Sequence, residues 1–340
     1  MVAVFIGTFY LIFREQEISA VIDSIQKVKY RYLGLGIVLT LLFICSESVI
    51  IHLLMNTVKT SVSLIRCIKY SFVGFFFSAV TPSATGGQPM QVLWMKRDNI
   101  SVAISTLVLM IVTAAYKTVL ILLCAIAVVF EWKVIQQYAN DIWFLIVFGV
   151  VCNISFIVFL LIAVFRQSWM TRMVGKTVFF LGKHHIIKNR EKWLKKAWKA
   201  LEKYDKSADY LKQNKQILVQ VVLITIFQRL CLFIVTYVVY FAFGLHGTSA
   251  FKIIALQTLI ALAVDSRPLP GGMGASESSF LIIFLTIFGE EFVLPGMLLS
   301  RGITYYAMII ISAVITLVSY VAGGRKKKIE SGGHSYDRIL

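Results

Sequence analysis

Charge is scarce in this sequence, and what there is leans one way. Only 15% of the 340 residues are Asp, Glu, Lys or Arg, and the 34 bases outnumber the 17 acids. A soluble domain carries about 25% charged residues, so an aqueous globule is excluded. Cysteine is also rare. Cys45, Cys67, Cys124, Cys152 and Cys231 lie in or beside apolar runs with no CxxC pair among them. That pattern excludes a disulfide framework and leaves the thiols as packing residues. Metal-ligand spacings are missing as well: His52 sits near a helix end, and His184 and His185 fall in a basic loop. There is no HExxH, no carboxylate pair spaced for a metal and no nucleophile–base pair, so neither metal nor cofactor is expected and enzymatic chemistry is disfavoured. The GGMG run at 271–274 follows no strand, which excludes a dinucleotide site. Met1 to Phe13 is apolar but has no basic start and no A-x-A site, so it does not read as a cleavable signal.

What is abundant is apolar surface. Hydrophobic residues make up 58% of the chain, and the mean hydropathy is +0.80. Several runs exceed the roughly 20 apolar residues that cross about 30 Å of hydrocarbon. The expected fold is therefore an all-α integral membrane protein, multi-pass, in the cell membrane. Crossing helices are expected at 32–56, 101–130, 142–165, 217–243 and 296–321. Residues 1–31 read as a short membrane segment (1–13) and an interfacial connector. The net charge of +17 is concentrated between Arg166 and Lys215, with fourteen bases against four acids, and at Arg325–Lys328. Those positions flank spans, so the charge sets orientation and a nucleic-acid partner is excluded. The linker 166–216 and the tail 322–340 are accordingly expected on the cytoplasmic side. Within the linker, Leu194, Ala197, Trp198, Leu201, Tyr204, Ala208 and Leu211 recur at helical spacing opposite a lysine face, an amphipathic helix suited to the membrane surface or to the bundle.

Two stretches break the apolar pattern. TPSATGGQP at 81–89 and RPLPGGMGASE at 267–277 place paired glycines 185 residues apart. With Lys59, Arg66, Lys69, Lys96 and Arg97 on the cytoplasmic side, the segment 70–97 leaves and returns on one face. By the same logic 251–289 leaves and returns on the other. Both read as re-entrant hairpins with tips near the midplane, in halves 32–165 and 217–321 of inverted topology. Lys117 lies thirty residues beyond Gly87 and Arg301 twenty-nine beyond Gly272; Glu47 and Arg229 precede Gly86 and Gly271 by thirty-nine and forty-two. Exposed backbone cannot face lipid, so the tips must line protein or a wet cavity. Pro89 suits a first helical turn, Ser276 with Glu277 suits a cap, and the free N–H groups of the second arms suit a phosphate.

Ionisable groups inside the membrane are costly and face a cavity or one another. The candidate substrate-binding set is Glu47, Thr85, Gly86, Gly87, Gln88, Lys117, Arg229, Asp265, Arg267, Gly271, Gly272, Glu277 and Arg301. Internal pairing, such as Glu47 with Lys117, is the competing role for the charges. Four bases against three acids suit a phosphate-bearing, even zwitterionic, head group.

The runs FFFSAVTPSATGGQPMQ and PLPGGMGASESSFLIIFLTIFG, followed by SRGITYY, resemble the two signature regions of the lysylphosphatidylglycerol synthase transmembrane family. The resemblance covers roughly 30–321. It implies two inverted halves with re-entrant helices and a lipid-flippase function. Only about twenty residues follow the last expected span, so the aminoacyl-transferase domain of the bifunctional members is not expected. The expected activity is translocation of an anionic or aminoacylated phospholipid, or a polyprenyl-phosphate lipid, between leaflets. The alternatives are an embedded enzyme acting on a lipid-linked substrate and a transporter of a small soluble ion. Membrane lipid is the expected partner; a second copy of the chain and a separate lipid-modifying enzyme are the candidate protein partners.

Overall fold

A computed structural model describes residues 23–26, 28–166, 172–173, 176–177, 190–265 and 274–333. Segment 1–13 and three candidate site residues, Arg267, Gly271 and Gly272, lie outside the described residues. Every long element is a helix: α1 Tyr30–Thr57, α2 Leu64–Val80, α3 Gly87–Arg97, α4 Val102–Phe130, α5 Trp132–Phe165, α6 Arg190–Gln213, α7 Lys215–Ala242, α8 Ala250–Asp265, α9 Ala275–Arg301 and α10 Met308–Gly333. A short 3-10 turn, Pro82–Ala84, precedes α3, and a π-helical turn, Gly302–Ala307, joins α9 to α10. Among the described residues, five stretches are long and apolar enough to cross a membrane: Tyr30–Thr57, Val102–Phe130, Ile146–Val164, Lys215–Ala242 and Ala275–Val321. The chain is thus a multi-pass helical membrane protein, with helix boundaries close to the expected ones except in α5, which starts at Trp132 and not at 142, and at the last span. That span does not start at 296. Helix runs from Ala275 and breaks at Gly289, whose φ of 74° and ψ of 168° only glycine adopts readily.

α1 and α7 form the central pair and run antiparallel. Tyr32 stacks on Phe241 at one end, and further along Gln228 donates from Nε2 to the Phe43 carbonyl at 3.1 Å. α2 and α3 fold back on each other. Their open ends are tied by Asp98, which accepts from Tyr70 Oη at 2.5 Å and from Lys69 Nζ at 3.0 Å. α3 is too short to cross, since its eleven residues rise only about 16 Å. α2 packs against α1 and α10, and α8 packs against α4, α7 and α5. One apolar core gathers Leu120, Phe233, Leu256, Phe284 and Met297. A second gathers Ile50, Tyr70, Met95, Leu107 and Leu211.

The amphipathic helix α6 belongs to that second core through its C-terminal half. Leu201, Tyr204, Ala208 and Leu211 are buried, and Tyr204 donates to the Ala163 carbonyl at 3.0 Å. Trp198, from the same stripe, is 57% exposed. Lys59, at the end of α1, lies over the Tyr210 ring of α6, and Arg97 lies over Tyr320 of α10. The basic residues assigned to one side in the sequence therefore meet at one end of the bundle. At the opposite end Phe130 meets Phe251, and Phe243 meets Phe292.

Candidate functional site

The glycines of the first break serve close approach, not left-handed backbone. Gly86 has φ −80° and Gly87 begins α3. A Cβ on Gly87 would meet Ser78 and come within 2.7 Å of the Gly74 carbonyl, so a larger residue would push α3 off α2. Gly74 plays the reciprocal part, because the Gln91 side chain runs across it to reach Glu47 of α1. Gln91 Nε2 donates to Glu47 Oε1 at 2.7 Å. Among the described residues of the second break, Gly274 has a positive φ, 81°.

Both helix starts that follow the breaks are closed by the chain itself. Thr81 Oγ1 accepts the Gly86 N–H at 2.9 Å. Gly274, not Ser276, is the N-cap of α9, and the Glu277 carboxylate reaches back to accept its N–H at 2.7 Å. Ser276 lies inside the first turn, so the cap expected there is one step displaced. A carboxylate at this positive helix end is favourable, and these two N–H groups are engaged within the chain. Pro89 does stand in the first turn of α3, where its missing N–H leaves no intrahelical bond unmade.

The buried charges do pair internally, but not as the Glu47–Lys117 bridge offered as the competing role. Lys117 of α4 forms its ion pair with Asp265, the last residue of α8, and Tyr116 Oη donates to the other oxygen of Asp265 at 2.5 Å. Glu47 is held by Gln91 instead, and it lies close enough to Arg229 for the two charges to attract. Arg229 of α7 has its guanidinium 3.7 Å from the Tyr116 ring centre and 5.0 Å from that of Phe43. Its Nε is buried without a hydrogen-bond partner, and no carboxylate pairs with it among the described residues. One turn before Lys117, Thr113 takes a hydrogen bond from Gln88 of the first break. α4 thereby receives one residue at or beside each break.

A second cluster lies along α9. Arg301 Nε donates to Glu277 Oε1 at 3.0 Å, with side chains 16% and 4% exposed. The guanidinium also lies 4.7 Å from the Tyr305 ring centre. Tyr305, in the π-helical turn, donates to the carbonyl of Ala79 at the end of α2. Thr85 is exposed and bonds locally to Pro82. The structure therefore brings Glu47, Lys117, Arg229 and Asp265 into one cluster, joins Glu277 to Arg301, and sets Gln88 beside the first cluster. Sequence reasoning missed Tyr116, Gln91, Tyr305 and Gly74. A polar Gln and a Tyr beside a buried Lys are signals for two of them; the other two depend on which helices meet.

Chemically, this is a set of compensated acids and bases around one stacked guanidinium whose Nε is buried without a partner. Such a group receives an anionic oxygen without displacing a resident carboxylate. No curated protein matches the chain significantly. A family model described as the lysylphosphatidylglycerol synthase TM region matches residues 1–312. That span contains both breaks, both charge clusters and all five apolar crossings up to the middle of α10, and the chain belongs to this family of lipid-associated membrane domains.

Proposed function

We propose that the protein is a lipid translocase that moves an anionic or aminoacylated phospholipid, or a polyprenyl-phosphate lipid, between leaflets. Arg229 holds the head group while the acyl chains stay in the bilayer. The observation that carries this is the state of Arg229: near the middle of α7, stacked on Tyr116 and Phe43, with a buried Nε that has no partner. A buried unsatisfied donor costs about 1–3 kcal/mol, which a phosphate oxygen would offset. Lys117 and Arg301 have carboxylates already, so on this proposal they fix the shape of the site.

Alternating access supplies the movement, with α2–α3 and α8 with the first part of α9 as re-entrant hairpins of two inverted halves. Two observations support this. The repeat-related helices α1 and α7 run antiparallel, as inversion requires. Each hairpin's first arm also packs on a crossing helix of the other half, α2 on α10 and α8 on α4. The basic end of the bundle, with Lys59, Lys69 and Arg97, is the cytoplasmic one by the rule that bases stay inside.

The test is leaflet-to-leaflet transfer in liposomes of phosphatidylglycerol, its aminoacylated form and a polyprenyl phosphate, with phosphatidylcholine as control. Transfer of at least one anionic or aminoacylated lipid, lost in Arg229→Gln, is expected. Equal transfer by the wild type and by empty liposomes overturns the proposal.

A further inference from the structure

Arg229 has a counterpart at the basic end of the bundle. Arg97, the last residue of α3, is exposed, with its guanidinium 4.5 Å from the Trp94 ring centre and 5.2 Å from that of Tyr320 on α10. Two aromatic faces hold the plane of the group and leave its edge, where the N–H donors lie, open. The neighbouring acid does not neutralise it, because Asp98 is engaged by Lys69 and Tyr70. Lys96 and Arg66 are exposed alongside, and α10 carries Arg325–Lys328 beginning five residues, about 7.5 Å of rise, beyond Tyr320.

The surroundings fix the kind of ligand. Ile65 is 80% exposed, Leu93 42% and Leu64 41%, so apolar side chains point outward at the same level as the cations. Tyr320 is 56% exposed, an aromatic at the height where Tyr and Trp mark the membrane interface. A cation with a free fork, set among outward apolar residues, matches a phosphodiester that carries acyl chains.

We infer that Arg97, with Trp94, Tyr320 and Lys96, forms a docking station for the head group of an anionic phospholipid at the basic end of the bundle, separate from the Arg229 site. Its use as a loading point rests on the translocase proposal, but its occupancy does not. The station sits between the base of the first hairpin and α10, so a lipid docked there touches both elements that a lateral opening would part.

The experiment uses the full chain in liposomes with a photoactivatable phosphatidylglycerol, labelled near the head group, and peptide mapping of the adducts. Labelling of residues 93–97 is expected to fall about fivefold in Arg97→Gln, the effect of one basic group near a membrane surface. Arg97→Lys should recover part of it, and a phosphatidylcholine probe should label weakly. Excess soluble glycerol phosphate should leave the labelling in place. Equal labelling by the two lipids, no loss in Arg97→Gln, or displacement by glycerol phosphate would each overturn the station. Transfer measured on the same liposomes separates the two ideas: labelling without transfer removes the translocase and keeps the site, whereas transfer without Arg97-dependent labelling removes the site alone.

Discussion

Lys117→Gln and Arg229→Gln remove one buried positive charge each, yet their effects should differ in kind. The Lys117 and Asp265 side chains are 15% and 12% exposed. Breaking such a pair strands a carboxylate and costs about 3–5 kcal/mol. Tyr116 still donates to Asp265 in the variant, which places the loss near the lower figure, about 3 kcal/mol. Arg229→Gln breaks no salt bridge: Arg229 attracts Glu47 and Asp265 without direct contact, and these keep their bonds from Gln91 and from Lys117 and Tyr116. It forfeits about 2 kcal/mol of desolvated cation–π contact with Tyr116 and Phe43. It also removes a buried, unpartnered Nε, a gain of about 1–3 kcal/mol. The two terms oppose, so the net change in stability should stay within about 1 kcal/mol.

Thermal unfolding in detergent and lipid transfer in liposomes, measured on both variants, separate the roles. Lys117→Gln should melt well below wild type, and Lys117→Gln with Asp265→Asn should recover most of the loss because both charges leave together. Arg229→Gln should melt near wild type and fail to move the anionic lipid. If Arg229→Gln unfolds as early as Lys117→Gln, or folds and transfers normally, Arg229 is not the head-group residue.

Three further outcomes follow from the geometry. Gly87→Ala should destabilise by about 1–3 kcal/mol, since its Cβ would press on Ser78 and the Gly74 carbonyl, whereas Gly34→Ala, with nothing within 4 Å, should be neutral or stabilising; detergent melting curves decide. Tyr305→Phe should cost about 1 kcal/mol through the lost bond to Ala79, read by the same melts. For Asp98, burial raises the carboxyl, but the hydrogen bonds from Tyr70 and Lys69 and the charges of Lys69 and Arg66 outweigh it and leave the value lowered. A lowered folded value contributes stability above the ordinary carboxylate range that is lost as pH falls through the folded value, so amide exchange at the base of α2 and α3 should quicken only below about pH 4.

Spans were legible in the sequence because hydropathy acts over twenty residues at a time and ignores partners. The break at 81–89 was legible for a local reason: Gly, Pro and Thr cannot continue α2 unaided. The role of its glycines was not, since nothing in Gly87 itself reveals that Gly74 of the other arm lies opposite. Pairing of the charges failed for the same reason. Glu47 and Lys117 were candidates to meet because both lie deep in helices of one half. Yet α4 faces α8, and Asp265 arrives there from 148 residues away. Meanwhile Gln91 crosses Gly74 and takes Glu47 first.

That exchange of partners has a mechanical consequence. Residues just ahead of the two breaks are tied to helices distant in the chain: Asp265 of α8 to Lys117 and Tyr116 of α4, and Ala79 of α2 to Tyr305 beyond α9. Asp265 precedes Gly271 by six residues, and Ala79 precedes Gly86 by seven, so the ties stand at similar distances ahead of the paired glycines. They differ in strength. One is an ion pair supported by a hydroxyl, and the other is a single neutral hydrogen bond, worth about 1 kcal/mol. A translocase built this way opens more readily where the weaker tie lies, between α2 and the π-helical turn. On the proposed alternating-access mechanism, the unequal ties would then set which face is open at rest.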